Sequence, residues 1–206
     1  MIVAIGRELG AGGHEIGERI AALIGAELLD NQIVDTVAQK IGAPAAYVEA
    51  RDEQVESFAD RLFRAITAAQ PEAYAAGDAV PDWSEERLFA LTGDIIRERA
   101  RDRSVVVIGR GAPVLLKGLP GLLRLFVIAD AEARAARLQL RLSCTREEAL
   151  KRMKSSDQHR AAYMKQHFGV DWRDPHGYDL VVNSGAVGVD QAARIAVECL
   201  KVLRSD

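Results

Sequence analysis

Short continuous apolar runs alternate along the chain with stretches in which apolar residues recur every three or four positions. Residues 1–5, "MIVAI", read as a buried strand, and Ile16, Ile20, Leu23 and Ile24 then repeat at helical spacing through 14–24. Gly25 reads as the helix stop, and "AELLD", ending at Asp30, as a second and shorter strand. The runs "SVVVIG" at 104–109 and "LLRLFVIA" at 122–129 suit central parallel strands covered on both faces, and "DLVVNS" at 179–184 is a fifth strand. An amphipathic helix is expected near 189–203. The alternation predicts an α/β fold, a doubly wound parallel five-stranded sheet flanked by helices, with ligands at the carboxyl ends of the strands.

Residues 44–102 interrupt this rhythm as a helical insertion. Val55, Phe58, Leu62 and Ile66 mark one helix there, and Leu88, Leu91, Ile95 and Ile96 another. The turn-rich "QPEAYAAGDAVPDW" between them reads as a mobile loop. A substrate-closing segment, a homodimer surface and extra core are three open readings of the insertion.

Composition narrows the class. The 206 residues are 49% hydrophobic and 28% charged, enough for a sizeable core in one large domain. A net charge of −3 argues against a nucleic-acid partner, which calls for a basic face. Cys144 and Cys199 are the two cysteines and form no CxxC pair, so reduced thiols are expected rather than a disulfide framework or a zinc site. "MIVAI" is too short and too neutral for a secretory signal, and no apolar run approaches the roughly 20 residues of a membrane span. A cytoplasmic protein with no membrane partner is the expectation.

The candidate chemistry begins at "GRELGAGGHEIGERI", residues 6–20, where the first strand gives way to a glycine-rich turn and a helix. Backbone N–H groups converge at such a junction and the helix dipole favours phosphate. A Walker loop, G-x-x-x-x-G-K-[ST], adds a lysine for the β/γ charge and a hydroxyl for Mg²⁺. With Gly12 as the second glycine, Arg7 falls at the first, Gly13 at the lysine and His14 at the hydroxyl. Gly10, Ala11 and Gly12 are the part of the pattern that survives. A dinucleotide fingerprint fits little better, since Glu15 stands at its third glycine. Mg²⁺ prefers oxygen, which makes Glu15 a better metal contact than His14, although either residue also suits a helix start.

Five segments in order carry a family likeness: "GRELGAGGHEIG", "LLDNQIV", "VVVIGRGAPVLL" at 105–116, "RLFVIADAEARAARL" at 124–138, and "SSDQHRAAYMKQHFGVDWRDPHGYDLVVNS" at 155–184. Together they resemble the cytidylate kinase-like family of P-loop nucleoside monophosphate kinase relatives. The resemblance implies a single P-loop kinase-like domain over 1–206, with 44–102 on the acceptor side and a lid-like segment at about 142–172. It also implies ATP at the first loop with Mg²⁺, small-molecule nucleotide partners, and transfer to a nucleoside monophosphate, CMP or dCMP first.

The same likeness assigns charges. Arg110 in "GRG" matches the arginine of a "GRD" that contacts the acceptor nucleotide, while the aspartate is replaced by Gly111. Asp157 and Arg160 match a D-x-x-R whose arginine helps bind phosphate. Asp30 matches an "LD" turn beside the acceptor, with a helix N-cap as the competing explanation. Arg134, Arg137 and Arg141 fall roughly on one helix face, where a solvated surface accounts for at least one of them. Trp172, Tyr178 and Asn183 either border the adenine or pack. The absent lysine leaves room for Arg7 or a lid residue such as Lys154 to substitute. It also leaves open a nucleotide-binding regulator without transfer activity, or a kinase for a non-nucleotide small acceptor.

Overall fold

A computed structural model of the protein describes residues 1–30 and 85–203. The chain divides into two compact units, Met1–Asp30 with Arg97–Asp206, and Asn31–Ile96. The expected helix at Val55–Ile66 and the loop at 70–83 lie outside the described residues. From the second unit the described part is the start of one helix, and everything else below belongs to the first.

The described elements run β1 (Ile2–Arg7), α1 (Gly13–Ile24), β2 (Glu27–Leu29), α2 (Glu85–Asp102), β3 (Val105–Ile108), α3 (Ala112–Leu115), β4 (Leu122–Ile128), α4 (Ala131–Leu142), α5 (Arg146–Phe168), a 3₁₀ turn (Pro175–Gly177), β5 (Leu180–Asn183), α6 (Ser184–Val187) and α7 (Val189–Val202). The five strands form one sheet in the order β2-β3-β1-β4-β5, and every pairing is parallel. The fold class expected from the sequence is therefore the one observed.

Period-two alternation divides the strands between two apolar layers. Val3, Ile5, Val106, Ile108, Leu123, Leu125 and Val127 face Ile16 and Ile20 of α1 and Ala192, Ala193, Ala196 and Leu200 of α7. Complete burial of an Ile or Leu side chain contributes roughly 1.5–3 kcal/mol, so this layer is the main stabilising element. On the opposite face Phe126 packs with Met164 of α5 and with Trp172. Residue 17 is a glycine because α1 lies close on the sheet: a Cβ there would come within 2.6 Å of Ile108 Cδ1.

Strand order also fixes where a ligand can enter. The chain leaves β1 towards β2 on one side and leaves β3 towards β4 on the other, and β1 and β3 are neighbours. Their outgoing connections diverge, which opens a crevice at their carboxyl ends. Arg7 ends β1 at that crevice, and Gly109 and Arg110 follow β3 there.

Most of the segment at about 142–172, expected from the resemblance to be lid-like, is one long helix, Arg146–Phe168. Thr145 and Glu148 make a reciprocal capping box at the start of α5, and the helix runs without interruption to Phe168. Among the described residues, no helix is long and apolar enough to cross a membrane. Cys144 and Cys199 are free thiols.

Candidate active site

The loop from Glu8 to Gly12 is held by its carbonyls. Arg134 Nε of α4 donates to Leu9 O (2.7 Å), Arg137 Nη1 to Gly10 O (3.3 Å) and Ser184 Oγ to Ala11 O (2.5 Å). Arg137 also binds Ser184 Oγ (2.9 Å) and Ser184 O (3.0 Å), so the loop, α4 and α6 are cross-linked. With three successive carbonyls occupied, the opposite polarity is left open. The backbone N–H groups of Gly10, Gly12, Gly13, His14 and Glu15 have no hydrogen-bond partner among the described residues. Five uncommitted donors at the start of a 12-residue helix form an anion cradle.

Asp157 stands beneath this cradle. Its carboxylate accepts from Leu9 N (3.0 Å), Arg160 Nη1 (3.2 Å), Arg173 Nη2 (3.3 Å) and Arg134 Nη2. Arg134 and Arg173 also meet Glu8, at 3.2 and 2.9 Å. Three guanidiniums against two carboxylates leave one net positive charge in the network. Asp157 is thus the tether between the loop and α5. Arg134 and Arg137, two of the three helix-face arginines, are loop supports, and Arg141 is exposed. Arg160 spends one nitrogen on Asp157 and on Arg7 O (3.2 Å). Burial, with the charges of Arg134 and Arg141, lowers its pKa, while Asp157 opposes the shift.

Arg7 crosses the crevice. A Cβ on Gly13 would lie 2.7 Å from both Cβ and Cγ of Arg7, and a Cβ on Gly109 would collide with its Nη1. The guanidinium has no hydrogen bond or ion pair with any described residue. Burial, and then the charge of Arg160, push its pKa down to about 10, with Asp30 partly opposing.

Arg110 lies at the same end of the sheet in a left-handed conformation (φ 56°), flanked by Gly109 (φ 80°) and Gly111 (φ 67°). Asp30 bonds His14 Nδ1 (2.7 Å), and His14 Nε2 lies 3.4 Å from Glu18. His14 therefore links α1 to the end of β2. Glu15 follows it in the first turn of α1, and its carboxylate has no partner among the described residues. Lys154 is exposed on α5.

The aromatics pack. Trp172 is buried edge-on against Phe126 (5.6 Å between ring centroids), Tyr178 stacks on Phe126 (4.7 Å), and Tyr178 OH donates to Trp172 O (2.6 Å). Burial pushes the Tyr178 phenol up to about 12. Asn183 caps α6 through Gly185 N and Ala186 N. Sequence reasoning missed Glu8, Arg173 and Ser184, which meet their loop-side partners across 165 positions (Arg173 to Glu8) and 173 positions (Ser184 to Ala11). The one local signal was Glu8 lying inside the glycine turn.

With this geometry established, comparison with known proteins adds three findings. The model of a family described as the cytidylate kinase-like family matches residues 2–186. No curated protein sequence matches the chain. Solved structures with a similar fold include an uncharacterized protein from Eubacterium ventriosum ATCC 27560, 22% identical, with 98% of each chain covered and a TM-score of 0.72. Shikimate kinase from Bacteroides thetaiotaomicron is 13% identical over 98% of each chain, with a TM-score of 0.53. A gluconokinase from Sinorhizobium meliloti 1021 is 16% identical over 98% of this chain and 93% of its own, with a TM-score of 0.51. At these identities the shared property is the P-loop kinase fold.

Proposed function

The chain belongs to the cytidylate kinase-like family, and from that premise we propose that it transfers the γ-phosphoryl group of ATP to a nucleoside monophosphate, CMP and dCMP being the first acceptors to test. One observation carries the proposal: five unpaired backbone donors follow β1, and Arg7, its stem against Gly13, reaches across to Gly109 after the neighbouring strand β3. Phosphoryl transfer depends on positioning and on positive charge around the transferred group, and both are supplied here by groups already fixed in place.

In this reading the amides of Gly10, Gly12, Gly13, His14 and Glu15 hold the ATP phosphates, with Ala11 shaping the turn. Arg160 faces the charge that develops on the transferred group. Arg110 and Asp30, at the ends of β3 and β2, face the acceptor. Asp157 acts by positioning Arg160 and the loop.

The kinase fold implies Mg²⁺. The residues present fit it: Glu15 offers an uncommitted carboxylate beside the cradle, and Mg²⁺ commonly takes one or two carboxylates with phosphate oxygens and water. When bound, the ion would neutralise phosphate charge. Incubation with ATP, Mg²⁺ and a panel of acceptors, read as ADP and phosphorylated product, tests the proposal. Product from CMP or dCMP supports it, whereas ATP binding without product from any acceptor favours a nucleotide-binding regulator.

The His14–Asp30 pair favours a second reading, a kinase for a hydroxyl-bearing, non-nucleotide acceptor. A phosphate acceptor is already anionic near neutral pH, with a second pKa of about 6, and needs no base. An alcohol must lose its proton, and an imidazole oriented by a carboxylate can accept one. Product from polyols or hydroxy acids but not from nucleotides, abolished by His14→Ala, would select this reading.

A further inference from the structure

We propose that Arg7 supplies, from the strand side of the loop, the phosphate-binding charge that a P-loop lysine supplies from the helix side, and that Gly13 is glycine to make room for it. The proposal rests on reading the loop as a nucleotide-phosphate site.

The first ground is volume. The residue after Gly12, where the lysine of a G-K-[ST] loop would stand, has no side chain. The space its Cβ would need is filled by the stem of Arg7, with Cβ and Cγ both 2.7 Å from that point. A side chain at position 13 and an arginine at position 7 are alternative occupants of one site. Gly109 completes the arrangement, because a Cβ there would strike Arg7 Nη1. Two glycines, one after each of the neighbouring strands β1 and β3, bound a slot that holds a single guanidinium.

The second ground is that this guanidinium is uncommitted. Arg134, Arg137, Arg160 and Arg173 around the same loop each bond a carboxylate or a carbonyl. Arg7 bonds nothing among the described residues. Asp30 is the carboxylate whose charge reaches it, yet Asp30 is hydrogen-bonded to His14. An arginine kept for packing would be paired, because a half-buried cation without a partner costs stability. An unpaired guanidinium beside five unpaired amides is satisfied by a group rich in anionic oxygens, and a di- or triphosphate supplies enough of them for both. Its planar fork can grip two oxygens in a fixed parallel geometry, whereas the three donors of a lysine rotate about a point charge.

Calorimetric binding of ATP, AMP and inorganic tripolyphosphate, each with Mg²⁺, to the full chain tests this. The variants are Arg7→Met, which keeps the stem and removes the charge, Arg7→Gly, which removes the Cβ and Cγ that crowd residue 13, and Arg7→Gly with Gly13→Lys. Arg7→Met should weaken ATP and tripolyphosphate about 10–100-fold, the loss expected of a charge-assisted contact, and leave AMP within about twofold. Its melting temperature should rise, since an unpaired charge has left the crevice. The double variant should regain roughly tenfold over Arg7→Gly, because clearing the whole stem, Cβ included, admits the lysine. Unchanged ATP binding by a folded Arg7→Met, or an equal loss for AMP and ATP, overturns the proposal. Wild-type protein that binds neither ATP nor tripolyphosphate overturns the nucleotide-site reading itself, a different result from either.

Discussion

Arg7 and Gly13 are steric complements: the stem of the arginine fills the position where any side chain on residue 13 would begin. Gly13→Ala must push Arg7 aside or shift α1, and overpacking of this kind costs about 1–3 kcal/mol. In an Arg7→Gly background, which removes the Cβ as well as the Cγ at 2.7 Å, the same substitution meets open space and should cost less than about 0.5 kcal/mol. Urea unfolding of the four proteins in this cycle measures the coupling. Additive losses would show that the two residues do not share a volume.

The strands and their order of use were readable from apolar runs alone, because a central parallel strand buried on both faces must be continuously apolar. β3 and β4 fall inside the runs at 104–109 and 122–129. The free N–H groups at the start of α1 were readable from the order strand, glycine turn, helix. What escaped was the pairing of charges. Nothing near Asp157 in sequence indicates that it bonds Leu9 N, 148 positions away, or that Arg134 and Arg137 serve loop carbonyls rather than solvent. Such contacts depend on strand order, which apolar patterning does not encode. The slot for Arg7 was hidden for the same reason, since Gly109 and Gly13 meet only after β1 and β3 have paired.

Asp157 joins four donors, and removing its carboxylate should be costly. Asp157→Ala removes one of the two carboxylates that pair with buried Arg134 and leaves Leu9 N without its acceptor. Breaking one side of a buried ion pair costs about 3–5 kcal/mol. Asp157→Asn keeps an acceptor for Leu9 N while removing the charge, so its loss should be smaller. Denaturant midpoints that fail to rank wild type above Asn above Ala would refute a tethering role.

Arg110 holds a left-handed conformation that costs an L-residue roughly 1–2 kcal/mol. Replacing it with glycine relieves that strain, offset in part by the freedom glycine brings to the unfolded chain. Arg110→Gly should therefore lose less stability than Arg110→Ala, which keeps the strained conformation, while raising the KM for the acceptor at least tenfold. A variant that loses stability and keeps its acceptor KM would assign Arg110 to structure instead.

Acid should act through the link between β4 and β5. Burial raises the pKa of the Asp179 carboxyl, but hydrogen bonds from Arg124 outweigh this and hold it below its ordinary value. Those bonds come from Arg124 N (2.8 Å) and the guanidinium (2.6 Å at Nη2). A carboxyl with a depressed folded pKa stabilises the fold above its unfolded value, near 3.9, and that contribution is lost as pH falls through the folded value. Asp179→Asn should lower stability at pH 7 by about 1–2 kcal/mol and by progressively less below pH 4. Equal losses at pH 7 and pH 3 would place the effect in packing rather than charge.

Base should act through Arg7. Burial and the charge of Arg160 place its pKa at about 10 without ligand, so it is charged throughout the neutral range. A bound phosphate favours the charged form and raises that pKa. Above pH 10 binding must therefore take up a proton, and affinity falls as pH rises; below pH 9 the ligand-free protein already holds the proton and affinity is flat. ATP is the suitable probe, because the last ionisation of its terminal phosphate lies close to that of a phosphate monoester, about 6, and is complete well before pH 9. Affinity of the wild-type protein should be constant from pH 7 to 9 and decline towards tenfold per unit beyond pH 10. Lysines and tyrosines titrate in the same interval, so the informative quantity is the difference from Arg7→Met, in which this decline should disappear. A decline of equal size in both proteins would mean that the phosphate does not sense the charge on Arg7.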